Sequence, residues 1–318
     1  MAAVKCNLCG SDDYRVIYSM PDARYSTNEW FNIVECVRCG LGFINPRPTR
    51  LELPRYYPSS FYDYFEDDRE FHVRRYAAEA KFLKDVTSEH RKLLLDLGCA
   101  NGDFPRFMRQ LGWEVEGVEI SKNSKPISDF KVYQQEFHDI PIYEARYDAI
   151  TAWAVLEHVR DPMAYFKKAV QVLKPGGIFV FLVTNFKSIS SRGLFLEDIP
   201  RHLYFFTEET INRYLAENGF DLIKKDYSNK IYSMRPINWL RYYFYRDCKR
   251  RKMEWKDIQF TRQRLFKKKG LQSPLMVRLK FLISNPFYVM DRVLMPIYEK
   301  YQMVSKSYGI VIYVGRKH

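Results

Sequence analysis

Residues Lys92-Leu93-Leu94-Leu95-Asp96-Leu97-Gly98-Cys99-Ala100-Asn101-Gly102-Asp103-Phe104 decide the fold class. An apolar run of strand length ends at Asp96, passes through a glycine-bearing turn, and continues with helical spacing at Phe104, Phe107, Met108 and Leu111. Strand, glycine loop and helix in that order are how doubly wound α/β sheets bring a nucleoside against bare main chain. A second apolar run, Trp113 to Val118, ends on Glu119, 23 residues after Asp96, where a carboxylate can accept both ribose hydroxyls. The Gly-x-x-x-Gly loop alone also fits a nicotinamide dinucleotide. Two details favour a cationic, amino-acid-bearing nucleoside instead. Asp96 places negative charge where an amino group can sit and a pyrophosphate is repelled, and the following helix lacks the third close-packing glycine of dinucleotide binders.

Further along, Tyr147–Trp153 reads as a fourth strand, followed at once by Leu156-Glu157-His158-Val159. Leu173-Lys174-Pro175-Gly176-Gly177 turns into a fifth strand, Ile178 to Val183. Phe220 to Tyr227 reads as a sixth strand and Tyr308 to Val314 as a seventh. Loops that leave the carboxyl ends of such strands carry the ligands. His158 and His202 are therefore candidate general bases, with Glu157 beside them, because imidazole suits proton abstraction near neutral pH. A capping or packing role is the alternative for His158. The loop 195–204 is expected to roof the acceptor, with Arg201 and Tyr204 as acceptor-binding residues.

At the N-terminus, Cys6-Asn7-Leu8-Cys9-Gly10 and Cys36-Val37-Arg38-Cys39-Gly40 form two knuckles. The two-residue gap lets both thiolates of a pair reach one tetrahedral ion, and glycine permits the tight turn after each. Four thiolates leave no open coordination position, so the reading is structural Zn²⁺, with a pair of redox-active motifs as the alternative. Tyr14–Ser19 and Asn32–Glu35 can supply strands between the knuckles. Prolines at 46, 48 and 58 then mark a connector, and residues 66–87 turn helical.

Six cysteines among 318 residues do not make a disulfide scaffold. Lys5, Asp12 and Asp13 interrupt any signal peptide, and the apolar stretch Phe281 to Met290 is far short of the about 20 residues that span a bilayer. A cytoplasmic protein is expected, peripheral to the inner membrane face if it meets membrane at all. The net charge of +13 is not spread evenly: residues 230–306 hold 19 Lys or Arg against 5 Asp or Glu, whereas the remainder holds 32 against 33. Bulky apolar residues alternate with those cations, as in Trp239 to Arg246 and Met276 to Ile283. That composition suits an anionic membrane surface; a nucleic-acid face and a plain lid or dimer element are the alternatives.

These motifs, with Gly117-Val118-Glu119-Ile120-Ser121, Leu156-Glu157-His158-Val159-Arg160-Asp161-Pro162 and Arg201-His202-Leu203-Tyr204-Phe205-Phe206-Thr207, resemble the class I S-adenosylmethionine-dependent methyltransferases. With the two knuckles they are similar to a bacterial group often associated with polysaccharide or sugar modification. The resemblance implies an α/β, Rossmann-like seven-stranded sheet, an N-terminal zinc-ribbon-like module, and a helical basic insertion before the last strand. It implies a zinc module and linker over 1–60, a lead-in helix over 61–90, a core over 91–228 plus 307–318, and the insertion over 229–306. Asp96, Gly98 and Gly102 would line the methionine end of the cofactor and Glu119 its ribose. Glu136 and Phe137, with Gln135, would cover adenine, and Trp153 and Leu156 would close the pocket near the methyl group. The chain departs from the family at Ala100, where a glycine is usual, and at Pro126, which shortens the helix after Glu119. Ala154 stands where ubiquinone-pathway relatives carry an acid that serves a divalent metal, which argues against a catalytic metal here. The expected reaction is O-methylation of a small molecule or glycan, lipid-linked acceptors included, with an RNA methyltransferase or a non-catalytic cofactor-binding scaffold as alternatives.

Overall fold

The apolar runs on either side of the glycine loop become the centre of a seven-stranded sheet in the computed structural model, which describes residues 1–22, 29–57, 69–86, 91–121, 126–188, 191, 198–231 and 286–318. In chain order the structure contains β1 (Tyr14–Pro21), β2 (Trp30–Cys36), β3 (Gly42–Ile44), α1 (Arg69–Ala80), β4 (Leu93–Leu97), α2 (Asp103–Gln110), β5 (Glu114–Val118), β6 (Lys131–Tyr133), β7 (Tyr147–Trp153), α3 (Pro162–Val172), β8 (Leu173–Thr184), β9 (Tyr204–Phe205), α4 (Glu208–Ala216), β10 (Phe220–Asp226), α5 (Pro286–Val304) and β11 (Ile310–Lys317). The large sheet has the order β10-β11-β8-β7-β4-β5-β6. β4, β5, β6, β7 and β8 run parallel, whereas β11 is antiparallel to both β8 and β10.

Every residue of β7 is buried, as a strand is when helices cover both faces of a parallel sheet, and its polar side chains are paired: Asp148 accepts from Lys174 and Thr151 donates to Asp96. Leu95 and Leu97 pack into the core on one face, and Leu94 joins Phe104, Met108 and Trp113 on the other. α3 starts where Asp161 accepts the amide of Ala164 at 3.0 Å, with Pro162 at its first position. The fifth strand starts earlier than read, at Leu173, which pairs with Tyr147, but regular pairing resumes only at Ile178 opposite Ala149. Lys174 to Gly177 bulges out between them, with Gly176 at φ +73°, so the turn lies inside the strand's first residues. The seventh begins later, at Ile310. The expected helix after Glu119 is absent from Ser121 and 126–129, and residues 122–125 lie outside those described. The same holds for most of the basic insertion, 232–285.

A second sheet, β1-β2-β3-β9, is built on the knuckles. Gly10 and Gly40 take φ +72° and +74°, and their amides reach back to the carbonyls of Cys6 and Cys36, both at 2.9 Å. This is the tight turn that glycine allows without penalty. The fourth strand of this sheet comes from the core: Gly42 and Phe43 pair with Phe205 and Tyr204. Asn7, inside the first knuckle, donates to Asp161 at 2.8 Å and accepts from the amide of Met163 at 2.9 Å and the hydroxyl of Tyr214 at 2.8 Å. Cys6, Leu8 and Cys36 share one apolar cluster with Leu95, Phe166 and Tyr313. The knuckles are thus stitched into the larger unit by main-chain pairing, hydrogen bonds and common core.

Candidate active site

The carboxyl ends of β4, β5 and β7 lie side by side, and the loop after β4 crosses them. Gly98 takes φ +67°, and a Cβ on it would stand 2.7 Å from Val155 Cγ2, so both conformation and space exclude a side chain. Ala100 adopts φ +48° although it is not glycine, a conformation costing about 1–2 kcal/mol for an L-residue. Its amide donates to Glu119 Oε2 at 2.9 Å, and Ser121 donates to Oε1 at 2.7 Å. A carboxylate offers about four acceptor positions, so both oxygens keep a lone pair for ribose hydroxyls. Burial holds the Glu119 carboxyl above its ordinary range, against the pull of those amides.

Asp96 is buried at the end of β4, where Thr151 donates to it at 2.6 Å. Burial, opposed by that bond and reinforced by Glu79 and Glu119, pushes its carboxyl up to about 8. Glu79, on α1, was not foreseen from the sequence. It is fully buried; Oε1 accepts from Arg75 at 2.6 Å, and Oε2 has no hydrogen-bond partner among the described residues. Burial pushes Glu79 up to about 7 despite Arg75. Three carboxyl groups answered by one guanidinium make a wall that holds protons when empty and that a cationic ligand would ionise and complement. The available sequence signal was the Arg75/Glu79 pair, one helical turn apart, set among apolar positions.

Beyond β7, the main-chain carbonyl of Glu157 accepts amides from Leu203 and Tyr204, at 2.7 and 3.2 Å. This tie brings the loop after β8 over the strand ends. Consequently one ligand atom each of Glu157, His158 and His202 fall within 4.8 Å of one another, and the two imidazole centroids are 4.7 Å apart, edge to face. His158 Nδ1 lies 3.0 Å from the carbonyl of Arg201 and 3.1 Å from the hydroxyl of Tyr57. A carbonyl only accepts, so the tautomer that satisfies it carries its proton on Nδ1 and leaves Nε2 as a hydrogen-bond acceptor. Burial, then the neighbouring His202, lowers His158 to about 3, so it is neutral at physiological pH. Tyr57 sits in the proline-rich connector, and nothing in the sequence set it apart. The Glu157, His158 and His202 donors also have the composition of a divalent-cation site, with His202 as third donor in place of the acid absent at Ala154.

Several expected roles are corrected. Arg201 does not face an acceptor: it is wholly buried, donating to Asp198 at 2.7 Å, to both oxygens of Asp22 at 3.0 and 3.3 Å, and to the carbonyls of Tyr56 and Ile199. Burial opposes its charge, but Asp198 and Asp22 outweigh that and hold the guanidinium above its ordinary value. Tyr204 is likewise buried, accepting from Arg47 at 2.7 Å and donating to the carbonyl of Arg160 at 3.0 Å, so it ties the knuckle sheet to the core. Arg201→Met is expected to cost about 3–5 kcal/mol of stability, because Asp22 would be left buried without its cation. Thermal denaturation checks this; an unchanged melting temperature would return Arg201 to the acceptor site. The ring of Phe137 is fully buried against Tyr165, so only its main chain can meet a base, whereas Glu136 accepts from the Tyr165 hydroxyl at 2.8 Å. The Trp153 ring packs between Phe82 and Phe104, and its buried Nε1 has no hydrogen-bond partner among the described residues.

At the knuckles, Cys6 and Cys39 Sγ lie 3.4 Å apart, and Cys9 and Cys36 3.5 Å apart, none in a disulfide. All four sulfurs fall within 4.8 Å of one another. Tetrahedral Zn–S bonds of about 2.3 Å place sulfurs about 3.8 Å apart, so the thiolates fit one ion.

Comparison with known proteins supplies a context for this geometry. A family model described as "Methyltransferase domain" matches residues 67–225. The chain is 29% identical over 161 residues to the ubiquinone biosynthesis O-methyltransferase of Cereibacter sphaeroides, covering 46% of this chain and 65% of that protein. It is 29% identical over 153 residues to the protein of the same name from Azoarcus sp., covering 42% and 65%. The chain thus spans just under two thirds of the length of these relatives. Among solved structures, a chain in the Haloferax volcanii complex of the Trm112 methyltransferase activator with a methyltransferase superposes with a TM-score of 0.50 at 14% identity, covering 85% of this chain and 98% of that one. That likeness concerns the fold.

Proposed function

This chain belongs to the family of S-adenosylmethionine-dependent methyltransferases, and from that premise we propose that it methylates a hydroxyl oxygen of a small molecule, sugar units of a glycan included, with His202 as general base. The observation that carries this reading is the cluster of Glu157, His158 and His202 at the strand edge that bears the glycine loop. The relatives named as O-methyltransferases support oxygen as the acceptor atom.

S-adenosylmethionine, when bound, supplies an electrophilic methyl group on a sulfonium that leaves as a neutral thioether. Gly98 to Gly102 let the main chain approach it, Glu119 receives the ribose hydroxyls, and Asp96 with Glu79 faces the cationic end. Positioning of this kind accounts for on the order of 7–11 kcal/mol of a displacement barrier. His202, half-buried like His158, takes the acceptor's proton because His158 is held neutral, and Glu157 beside it stabilises the resulting imidazolium. His158, held neutral, adds no competing charge. The four thiolates of Cys6, Cys9, Cys36 and Cys39 hold a structural zinc ion that takes no part in the chemistry.

The test is to measure S-adenosylhomocysteine formation with phenols, free and lipid-linked sugars, and RNA, and to locate the new methyl group by mass spectrometry. An O-methylated small product is expected. Methyl transfer to RNA, a methyl on carbon or nitrogen, or tight cofactor binding with no turnover on any acceptor would each replace this reading.

Cofactor binding has a pH signature. With Asp96 raised to about 8 and Glu79 to about 7, the folded chain holds protons there that the unfolded chain has released. Its ligand-free stability therefore falls as pH rises from the ordinary carboxylate range through about 8. A cationic ligand favours the ionised carboxyls, so its affinity should strengthen over the same window, by at most about tenfold per pH unit per proton. Calorimetric titration across that window checks this, and Asp96→Asn should both weaken binding and flatten the dependence. A pH-independent affinity in the native chain would remove Asp96 from the cofactor's amino group.

A further inference from the structure

α5 is built inside out. Along it Met290, Val293, Leu294, Ile297, Tyr301 and Val304 are 41 to 76% exposed, whereas Glu299 and Gln302 are buried. The Tyr308 hydroxyl donates to Glu299 at 3.1 Å, fixing the polar side of the helix toward the protein. Positions 290, 293, 294, 297, 301 and 304 recur at three- and four-residue spacing, so they form one stripe about 21 Å long at 1.5 Å per residue. A surface helix normally turns such a stripe inward, and a contiguous exposed apolar stripe marks a surface that meets something else.

The sequence beside the helix indicates what. Residues 230–285, which lead directly into α5, hold 16 Lys or Arg against 3 Asp or Glu. We propose that α5 lies flat in the interface of an anionic lipid membrane, its apolar stripe among the acyl chains, with the positive charge of the sequence that leads into it favouring anionic headgroups. Apolar contact and cationic attraction are the two contributions that hold an interfacial helix. A nucleic acid would satisfy the charge but not the stripe. A second copy of this chain would cover the stripe, but a chain of net charge +13 repels its own copy. No helix among the described residues is long and apolar enough to cross a membrane, so α5 lies on the surface. The proposal is independent of the methylation reading.

The experiment is flotation of the full chain with vesicles of phosphatidylcholine alone or of phosphatidylcholine with phosphatidylglycerol, beside its molar mass in solution. The native chain is expected to float with the anionic vesicles and less with the neutral ones. Val293→Ser with Ile297→Ser should reduce the bound fraction about tenfold or more, with S-adenosylmethionine affinity unchanged. As a variant that keeps the stripe apolar, Ile297→Trp should shift its emission to shorter wavelength only when anionic vesicles are added. Absence of vesicle binding, an unshifted emission, equal binding by the double variant, or a native dimer that the double variant converts to monomer would overturn the proposal; the last would assign the stripe to a second copy.

Discussion

Replacing His202 with alanine is expected to lower kcat about 100- to 10,000-fold, the range that a positioned general base contributes. The affinity for S-adenosylmethionine should stay within about twofold of native, because the glycine loop, Asp96 and Glu119 belong to β4 and β5 rather than to the loop after β8. His158→Gln should be milder, since an amide can still donate to the carbonyl of Arg201, now 3.0 Å from His158 Nδ1. Equal turnover in native protein and His202→Ala would sink the base assignment. Loss of native turnover on a divalent chelator, with the knuckle metal retained, would recast Glu157, His158 and His202 as ligands.

Removing one thiolate from the knuckles is expected to have the other large effect. Structural zinc sites contribute on the order of 10 kcal/mol to a module that cannot build its own core, and Cys9→Ser opens the tetrahedron. Metal content should fall from one zinc per chain toward none, measured by atomic emission, and β1 to β3 should become protease-sensitive. Activity should be lost as well, by a route the geometry makes explicit. β3 pairs with β9 at Gly42 and Phe43, and Leu203 and Tyr204, at that strand, bond the carbonyl of Glu157. Loosening β3 therefore loosens His202 relative to Glu157. Cofactor affinity, which depends on the other strands, should survive better than turnover. A metal-free, fully active Cys9→Ser protein would show that the four cysteines do not hold zinc.

Much of the fold was legible in the chain alone, and the reasons are local. Leu93 to Leu97 is a short buried strand ending in a turn that needs positive φ, and Gly98 and Gly102 supply it. Tyr147–Trp153 matched its strand residue for residue, because a parallel strand buried on both faces is mostly apolar, with Asp148 and Thr151 as its hydrogen-bonded exceptions. The knuckles were legible because the spacing of Cys6/Cys9 and Cys36/Cys39 is set by the reach of two side chains to one ion. Strand ends were less so: the turn residues Lys174 to Gly177 do bulge out of the ladder, yet Leu173 before them already pairs with Tyr147.

What sequence by itself determined is therefore the sheet, the glycine loop, the carboxylates Asp96 and Glu119 at its rim, and the four-cysteine pattern, all fixed by short-range spacing. Tertiary structure alone decided which side chains meet across long separations. Glu79 comes from α1 to face Asp96, Tyr57 comes from the connector to His158, and the loop after β8 brings His202 to Glu157. The same packing removed Arg201 and Tyr204 from the acceptor's side, because Asp22 and Arg47, more than 150 residues away in sequence, claim their polar atoms first. A lone arginine in a roof loop looks the same in sequence whether it awaits a ligand or neutralises a buried aspartate. Only the burial of its partner tells the two apart.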